Sequence, residues 1–519
     1  MRWTVLLLCW DFTACWSQSF FYAKQCNLLP RPCHECTSHS RIKLTTGDFL
    51  NDGGTISLAD YRKMMAIQRT PGDAEKKYRS LDIRGDSTAV LRARVTDQIH
   101  PVAAAMHERK RSGSRPGKRK DKRRIALSIE GGGMRGCIAA GMAAAVRELG
   151  LVDSIDAVYG SSAGSLIGAY LLSGQDYRFG CSIYYDDLCG AGRTFIDLRN
   201  AMRSLGLGAL RLTRTGITEL LQERLGTPVL NLDFLLDEVM QKRKPLDWEA
   251  LAAKQSTQPL RILASGLETE SAVVLGAAEG HFSDSTQLAQ CIRASMLLPG
   301  IAGPVVNLPQ MGDDKQPLAD AMLFEPIPYR AALAEGATHV LVLRTRPDGI
   351  NVVRKQAIVE KLIAHRFFRR KMKLPRMAEH MWQQRHRILY AEDILRLNEG
   401  VMQLDTAAPT PHLLPIALQR GPSIDNLQTD ATALYHAVRC GFARAYEVLR
   451  PPDTPCDGWS AALEAFPDSI LNELLLMPTR AACKMELRAE ISQLQKKIMA
   501  QQQEVMRLQD RLYALYDED

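Results

Sequence analysis

Short apolar runs alternate with longer segments of helical periodicity between residues 124 and 350. Four of the runs predict buried strands, and the segments after the first two predict helices. The strand-like runs are IALSI, IDAVYG, LRILASG and THVLVL, and the helix-like segments are CIAAGMAAAVRELGL and SLIGAYLL. Because strands that alternate with helices form parallel sheets covered on both faces, the pattern predicts an α/β fold with a central, mostly parallel sheet flanked by helices.

The C-terminal residues 484–516 follow a different pattern, in which apolar positions recur in steps of four and three. Such a heptad repeat is typical of a coiled-coil helix, and a single amphipathic helix packed on the core is the alternative. Isoleucine and valine at the first apolar position and leucine at the second favour a parallel dimer. The sequence therefore predicts a homodimer formed through this coiled coil. The apolar positions are Leu487, Ile491, Leu494, Ile498, Val505, Leu508, Leu512 and Leu515, and Gln501 interrupts them.

Breaks in composition divide the remainder of the chain. A helical pattern over 430–450 ends at PPDTPCDG, which predicts a boundary. The predicted organisation is a targeting segment at 1–25, a variable region with a basic linker at 26–123, the α/β domain at 124–350, a basic helical extension at 351–450, a linker at 451–483 and the coiled coil at 484–516.

The charge balance is mild overall but uneven along the chain. With 46% hydrophobic and 24% charged residues and a net charge of +8, the composition is that of a globular protein. The basic segment 108–124 has no apolar period and predicts a flexible linker. In segment 365–376, Phe367 and Phe368 are interleaved with cations, which suits an anionic lipid surface or a solvated basic face. No apolar run reaches the roughly 18 residues that cross a bilayer, and nucleic acid is not an expected partner.

The N-terminal region carries three weak signals. Residues 1–25 are compatible with a secretory or organelle-targeting signal, although Asp11 interrupts their apolar run. Cys33 and Cys36 form one C-x-x-C, which without a second pair is weak support for metal or redox chemistry. Segment 48–65 resembles half of an EF-hand, but Phe49 occupies the first ligand position and cannot bind calcium. We therefore expect no metal and no cofactor.

A glycine-rich loop follows the first predicted strand and precedes a helix. It consists of Gly131, Gly132, Gly133, Met134, Arg135 and Gly136. Backbone N–H groups at the start of a helix bind anions, here either a cofactor phosphate or the oxyanion of an ester attacked by a nucleophile. The glycines fit G-x-G-x-x-G, and Asp156 lies near the position that binds ribose in dinucleotide folds.

A second motif, G-x-S-x-G, follows the second predicted strand. Ser162 lies between Gly160 and Gly164, in the strand–turn–helix context of a nucleophile elbow. The elbow exposes the hydroxyl of Ser162, whereas the side chain of Ser161 should point elsewhere. Dinucleotide binding does not require a serine elbow after the second strand, so the two motifs together favour acyl transfer. A serine hydroxyl needs a base to become nucleophilic.

Taken in this order, the two motifs resemble those of the patatin-like phospholipase family. The resemblance extends over roughly residues 124–350 and includes ILASGLETESAVVLG, CIRASMLLPGIAGPV and PLADAMLFEPIPYRAALAEGATHVLVLRTRP. It implies that the base is Asp320, which contacts Ser162 directly without a histidine. It also implies an oxyanion hole built from loop 131–136 and Ala163. The family's glycine after the aspartate is replaced here by Ala321, followed by Met322.

The resemblance implies a lipid acyl hydrolase of phospholipase, lysophospholipase or acylglycerol lipase type, acting without a cofactor. The expected substrate lies at a membrane or lipid-droplet surface, with the protein peripherally associated. The motifs fit transfer of the acyl group to water and to another alcohol equally. A catalytically inactive lipid-binding scaffold is one alternative, because Ala321 departs from the family pattern. A Ser–Asp–His hydrolase is the other, and its candidate histidines are His365, His380, His386 and His412.

Overall fold

The structure is a computed structural model. It describes residues 99–196, 229–298, 302–348, 363–401, 403–407, 409–418, 424–451 and 453–476, together with positions 352, 361 and 501. Contacts divide the chain into two units, Met1–Arg69 and Thr70–Asp519, and every described residue belongs to the second. The predictions for residues 1–25, for Cys33 and Cys36, for 48–65 and, apart from position 501, for the coiled coil lie outside the described residues.

The described part of the chain forms a seven-stranded sheet. Its strands are β1 (Ile125–Ile129), β2 (Ala157–Ser161), β3 (Leu260–Gly266), β4 (Ser271–Leu275), β5 (Leu318–Asp320), β6 (His339–Leu343) and β7 (His412–Ile416). The spatial order is β4-β3-β2-β1-β6-β7. The neighbouring pairs β3–β2, β2–β1, β1–β6 and β6–β7 are parallel. Strands β4 and β5 each pair antiparallel with β3. The predicted mostly parallel sheet is confirmed.

Helices flank this sheet. They are α1 (Pro101–Arg111), α2 (Gly136–Glu148), α3 (Ala163–Ser173), α4 (Tyr177–Ser182), α5 (Trp248–Lys254), α6 (Ser285–Met296), α7 (Tyr329–Ala334), α8 (Pro375–Trp382), α9 (Arg385–Val401), α10 (Ala431–Leu449), α11 (Gly458–Ala465) and α12 (Asp468–Leu476). The π-helical segments are Ile183–Leu188, Phe234–Arg243 and Ile363–Lys371. Among the described residues, no helix combines the length and the apolarity needed to cross a membrane.

Local sequence explains where several helices begin. Helix α6 starts after Asp284 and helix α10 after Asp430, and each aspartate accepts a hydrogen bond from a backbone N–H in the first turn. An aspartate at this position satisfies one of the N–H groups that a helix start leaves without a partner. Helix α2 is rich in alanine, the residue with the highest helix propensity. Both the start and the interior of these elements are therefore encoded locally.

Helix α10 packs directly across helix α2 at a pair of glycines. A Cβ atom at Gly141 would collide with the carbonyl oxygen of Val438, and one at Gly441 would collide with that of Ile138. The two backbones approach this closely only because neither position carries a side chain. Since α2 begins at the end of the glycine loop, this crossing connects the C-terminal helices to that loop.

The predicted flexible linker at 108–124 differs from the structure. Arg109, in helix α1, is 1% exposed and forms ion pairs with Asp121 at 2.8 Å and with Asp156 at 2.7 Å. Arg119 also pairs with Asp156, at 2.5 Å. A buried guanidinium is tolerated when carboxylates compensate its lost hydration. Asp156, considered above for a ribose, is engaged by these arginines instead.

The interpretation of the aromatic residues in segment 365–376 also needs correction. Phe367 and Phe368 are buried, and they pack with Leu323, Met377 and Met381 in a separate apolar cluster. The aromatic side chains therefore face inward rather than towards a lipid surface. Burial of these two rings inside the protein is favourable because it removes their apolar area from water.

The predicted linker at 451–483 contains helices α11 and α12 in its described part. Asp457 caps helix α11, and Phe466, which follows it, is fully buried. The ring of Phe466 contacts the rings of Tyr435 and Phe442 on helix α10, with centroid distances of 6.2 and 5.8 Å. The boundary predicted from PPDTPCDG is thus a turn between packed helices.

Candidate active site

Ser162 lies on a strained turn between strand β2 and helix α3. Its backbone adopts φ 51° and ψ −121°, a conformation that costs a non-glycine residue about 1–3 kcal/mol. The turn is tight because Gly160 and Gly164 lack side chains: a Cβ at Gly160 would lie 2.5 Å from the nitrogen of Ser165, and one at Gly164 would collide with the carbonyl oxygen of Ile129. This is the geometry of a nucleophile elbow.

The carboxylate of Asp320 lies beside this serine. Ser162 Oγ donates a hydrogen bond to Asp320 Oδ2 at 3.0 Å, and the backbone N–H of Met322 donates to Asp320 Oδ1 at 2.8 Å. Sheet register creates the contact, because β3 pairs with β2 at Ser161 and with β5 at Asp320. The two side chains are 158 residues apart in sequence and meet across this one strand.

Burial makes Asp320 a stronger base than an ordinary aspartate. Its side chain is nearly inaccessible, and the loss of hydration raises its pKa to about 6. The hydrogen bonds from Met322 N–H and from Ser162 lower the pKa and only partly oppose this effect. At neutral pH the carboxylate is therefore ionised and able to accept a proton.

The glycine loop passes directly against Ser162. A Cβ at Gly131 would lie 2.9 Å from Ser162 Cβ and 2.8 Å from the carbonyl oxygen of Ser161. Gly133 adopts φ 58°, in the left-handed region that favours glycine, and a Cβ there would lie 2.8 Å from the carbonyl oxygen of Asn426. Side chains at these positions would separate the loop from the serine.

Only part of the predicted oxyanion loop offers free donors. The N–H of Gly131 is bonded to the Pro326 carbonyl at 3.2 Å, and that of Met134 to the Asn426 carbonyl at 3.0 Å. The N–H groups of Arg135 and Gly136 bond within the loop. Within the described ranges, the N–H groups of Gly132, Gly133 and Ala163 have no hydrogen-bond partner.

Arg135 forms no ion pair with Glu130, the acidic residue before the glycine loop, and none with any other residue that the structure describes. Glu130 instead accepts hydrogen bonds from the N–H of Thr345 at 2.6 Å and from the hydroxyl of Tyr390 at 2.7 Å. Arg135 Nε is buried without a hydrogen-bond partner among the described residues. Burial, with the charge of Arg346 next in importance, lowers the pKa of Arg135 to about 10.

Two serines next to the elbow have supporting positions. Ser161 is buried and its hydroxyl donates to the Glu325 carbonyl at 2.9 Å, so it points away from the site. Ser295 Oγ accepts the backbone N–H of Ser162 at 2.7 Å and donates to the carbonyl of Leu263. No local sequence pattern reveals this role of Ser295, because the residue that it contacts is 133 positions away in sequence.

None of the four candidate histidines is hydrogen-bonded to Ser162 or Asp320 in the described part of the chain. His380 lies within 3.0 Å of the Leu323 carbonyl, and burial lowers its pKa to about 4. Burial lowers the pKa of His386 to about 3. His412 is the first residue of strand β7, which is parallel to β6. Because the site lies at the other end of these strands, His412 is distant from it.

Ala321 fits the geometry that a glycine was expected to provide. It begins a short 3₁₀ helix, Ala321–Leu323, and is 1% exposed. The non-glycine residues with positive φ in the described ranges are Ser162, Glu270, Lys373 and Gln384. Position 321 therefore does not require glycine. The described residues also contain no cluster of side chains suited to a metal ion.

The fold and the elbow place this molecule among α/β proteins with a partly accessible serine at a strand–helix turn. Residues 127–333 match the family model described as patatin-like phospholipase, a family of lipid hydrolases, and this segment belongs to that family. The resemblance seen in the sequence is thus confirmed over this segment, which contains both Ser162 and Asp320.

Two solved structures illustrate the wider similarity. VipD from Legionella pneumophila shares 12% identity, with a TM-score of 0.31, over 63% of this chain and 67% of that chain. ExoU from Pseudomonas aeruginosa, in complex with SpcU, shares 16% identity, with a TM-score of 0.23, over 55% of this chain and 54% of that chain. The match thus spans about half the length of ExoU. No match was found among curated proteins.

Proposed function

We propose that this protein hydrolyses acyl esters of lipids, as a phospholipase, lysophospholipase or acylglycerol lipase, with Ser162 as nucleophile and Asp320 as base. The observation that carries the proposal is the 3.0 Å hydrogen bond from Ser162 Oγ to Asp320 Oδ2. The elevated pKa of that carboxylate, about 6, supports its role as base.

In this mechanism Asp320 accepts the proton of Ser162 as the serine oxygen attacks the ester carbonyl carbon. Negative charge develops on the carbonyl oxygen, and the free N–H groups of Gly132, Gly133 and Ala163 are the donors available to stabilise it. The alcohol leaves with the proton from Asp320. Water then gives a proton to Asp320 and attacks the acyl-serine. The ester bond to Ser162 breaks and releases the fatty acid, and the serine oxygen takes the proton back from Asp320, which restores the enzyme.

We further propose that the protein acts as a homodimer at a lipid surface. The heptad repeat over 484–516 supports the dimer, and the lipid chemistry of the family supports the location. Analytical ultracentrifugation of the full chain should give the mass of a dimer. A variant with Leu494 and Leu508 replaced by lysine should sediment as a monomer, whereas a wild-type monomer would contradict the proposal.

The catalytic proposal is tested on the full chain with p-nitrophenyl butyrate and a fluorophosphonate probe. Ser162→Ala should abolish turnover and labelling, because it removes the nucleophile. Asp320→Asn should lower turnover by at least about a hundredfold, because the base contributes 10²- to 10⁴-fold. Ser161→Ala is the matched control, since its hydroxyl points away from the site, and it should still be labelled.

Each of two results would overturn the proposal. Full turnover by Asp320→Asn would place the base elsewhere. A wild-type chain that is folded but inert towards the probe and towards short and long esters would instead support the lipid-binding scaffold.

A further inference from the structure

A group of exposed cations surrounds the end of the π-helical segment and the start of helix α8. Arg369, Arg370, Lys371, Lys373 and Arg376 are all exposed, and none forms an ion pair with another described residue. Residues 361–378 contain seven lysines and arginines and no acidic residue. We call these five cations, together with Trp382, the basic face.

The apolar side chains of the same segment anchor this face to the protein. Phe367 and Phe368 are buried in one cluster with Leu323, whereas the cations that follow them are exposed, with the Lys371 ammonium 5.8 Å from the Phe367 ring centroid. Trp382, at the end of helix α8, is 55% exposed, and the Lys361 ammonium lies 5.7 Å from its ring centroid. The face thus combines unpaired positive charge with one amphipathic aromatic ring, a combination found at lipid headgroup level.

The basic face is attached to the loop that carries the proposed base. His380, on helix α8, lies within 3.0 Å of the Leu323 carbonyl and contacts the ring of Phe324 with a centroid distance of 4.9 Å. Leu323 and Phe324 follow Asp320 by three and four residues. A surface bound by the face would therefore lie close to the loop that positions Asp320.

We propose that the basic face docks on a bilayer containing anionic phospholipid and so holds the site at the surface where its substrate lies. The purpose of this docking rests on the proposed lipid hydrolysis, although the binding itself does not. A polybasic cluster gains affinity for a negatively charged bilayer from each cation. Single-stranded nucleic acid is held by several aromatic rings on which successive bases stack, whereas this face has one exposed ring, Trp382, because Phe367 and Phe368 are buried.

The test is sedimentation of the full chain with vesicles of phosphatidylcholine, with and without phosphatidylserine. The protein should bind the vesicles that contain phosphatidylserine and not those of phosphatidylcholine alone. Binding should weaken with added salt, because screening already limits such attraction to about 8 Å in physiological salt. The triple variant Arg369→Gln, Arg370→Gln, Lys371→Gln should bind about a hundredfold more weakly, since each cation contributes about fivefold.

A matched control removes the same charge elsewhere. Lys118, Lys120 and Lys122 are exposed and precede strand β1, whose opposite end leads to the glycine loop. Changing these three residues to glutamine should leave vesicle binding close to that of the wild type. Equal losses in the two triple variants would show that net charge alone governs binding and would overturn the proposal.

Two further readouts separate docking from catalysis. The Arg369–Lys371 triple variant should retain turnover of soluble p-nitrophenyl butyrate while losing hydrolysis of lipid in phosphatidylserine vesicles. Ser162→Ala should still sediment with those vesicles, because docking does not need the nucleophile. Vesicle binding without any ester turnover would therefore overturn the proposed function and leave the docking proposal standing.

Three results would overturn the docking proposal itself. One is wild-type binding of phosphatidylserine vesicles by the Arg369–Lys371 triple variant. Another is a wild-type chain that does not bind these vesicles but binds single-stranded RNA at the same salt concentration. The third concerns Trp382: its emission should shift to shorter wavelength on vesicle binding, so a shift that is identical in Trp382→Phe would place this ring away from the bilayer.

Discussion

Opposing influences set the pKa of Asp320, the residue on which the proposed chemistry depends. Burial disfavours the charged carboxylate, while hydrogen bonds from Met322 N–H and Ser162 favour it. Burial dominates, and the pKa rises to about 6. A base of this strength removes a serine proton more readily than an ordinary aspartate and is still ionised at neutral pH.

The pH profile of ester hydrolysis should report this carboxylate. A base must be unprotonated to act, so kcat/KM for p-nitrophenyl butyrate should rise with pH through about 6 and level off above it. Below the inflection each pH unit should lower the rate about tenfold. Initial rates between pH 4.5 and 8.5 measure the profile, with unfolding followed by circular dichroism as a control. An inflection near 4 would contradict an elevated pKa for Asp320.

At the scale of elements, the contact between helices α2 and α10 joins distant parts of the chain. The contact depends on Gly141 and Gly441, whose missing side chains let the two backbones meet. Helix α2 carries the glycine loop at its start, whereas α10 lies beyond the segment that matches the family model. We infer that the C-terminal helices stabilise the loop that faces Ser162.

Gly441→Ala tests this crossing, because the crossing predicts that the substitution lowers stability rather than raises it. Alanine in a free helix is about 1 kcal/mol more favourable than glycine, so propensity alone predicts stabilisation. Here the added Cβ collides with the Ile138 carbonyl, and the variant should unfold at a lower urea concentration than the wild type. Thr432→Ala, at an exposed position of the same helix, is the control and should leave stability equal or slightly higher. A stabilised Gly441→Ala would show that the helices do not cross in this way.

At the scale of the whole molecule, buried histidines connect stability to pH. His100, His339, His380 and His386 are buried, and burial lowers their pKa values to about 4, 4, 4 and 3. Unfolding restores values near 6.5, so below that pH the unfolded chain binds more protons than the folded one. Stability contributed by these neutral histidines is therefore present above pH 6.5 and lost as the pH falls towards 4. Asp320 and Glu325, whose pKa values are raised by burial, act in the opposite direction.

Replacing one of these histidines measures how much it contributes to the dependence of stability on pH. His386 has the lowest pKa, because burial and the charges of His380, Arg387 and Arg346 all disfavour its protonation, and its Nδ1 has no partner among the described residues. Between pH 6.5 and pH 5, the free energy of unfolding should fall by about 2 kcal/mol less in His386→Leu than in the wild type. Urea unfolding at the two pH values measures this difference. An identical loss in both proteins would contradict burial of a neutral His386.

Local sequence patterns predicted four of the seven strands in the described sheet and most of the catalytic candidates. Apolar runs gave the strands that surround the site, because a buried strand needs continuous apolar residues whatever its partners. The elbow at Ser162 and the loop after β1 were also evident, because a tight turn requires glycine at fixed spacing. Asp320 was found only through the family resemblance, since no local feature distinguishes it from other aspartates.

Only the tertiary structure decided which partners these residues meet. Which N–H groups remain free in the glycine loop depends on Asn426, and the orientation of the elbow depends on Ser295. The direction of Phe367 and Phe368, and the pairing of Arg109 with Asp156, likewise follow from segments far apart in sequence. Periodicity reports that a residue is apolar or charged. It does not report what packs against that residue, because packing is set by contacts between distant parts of the chain.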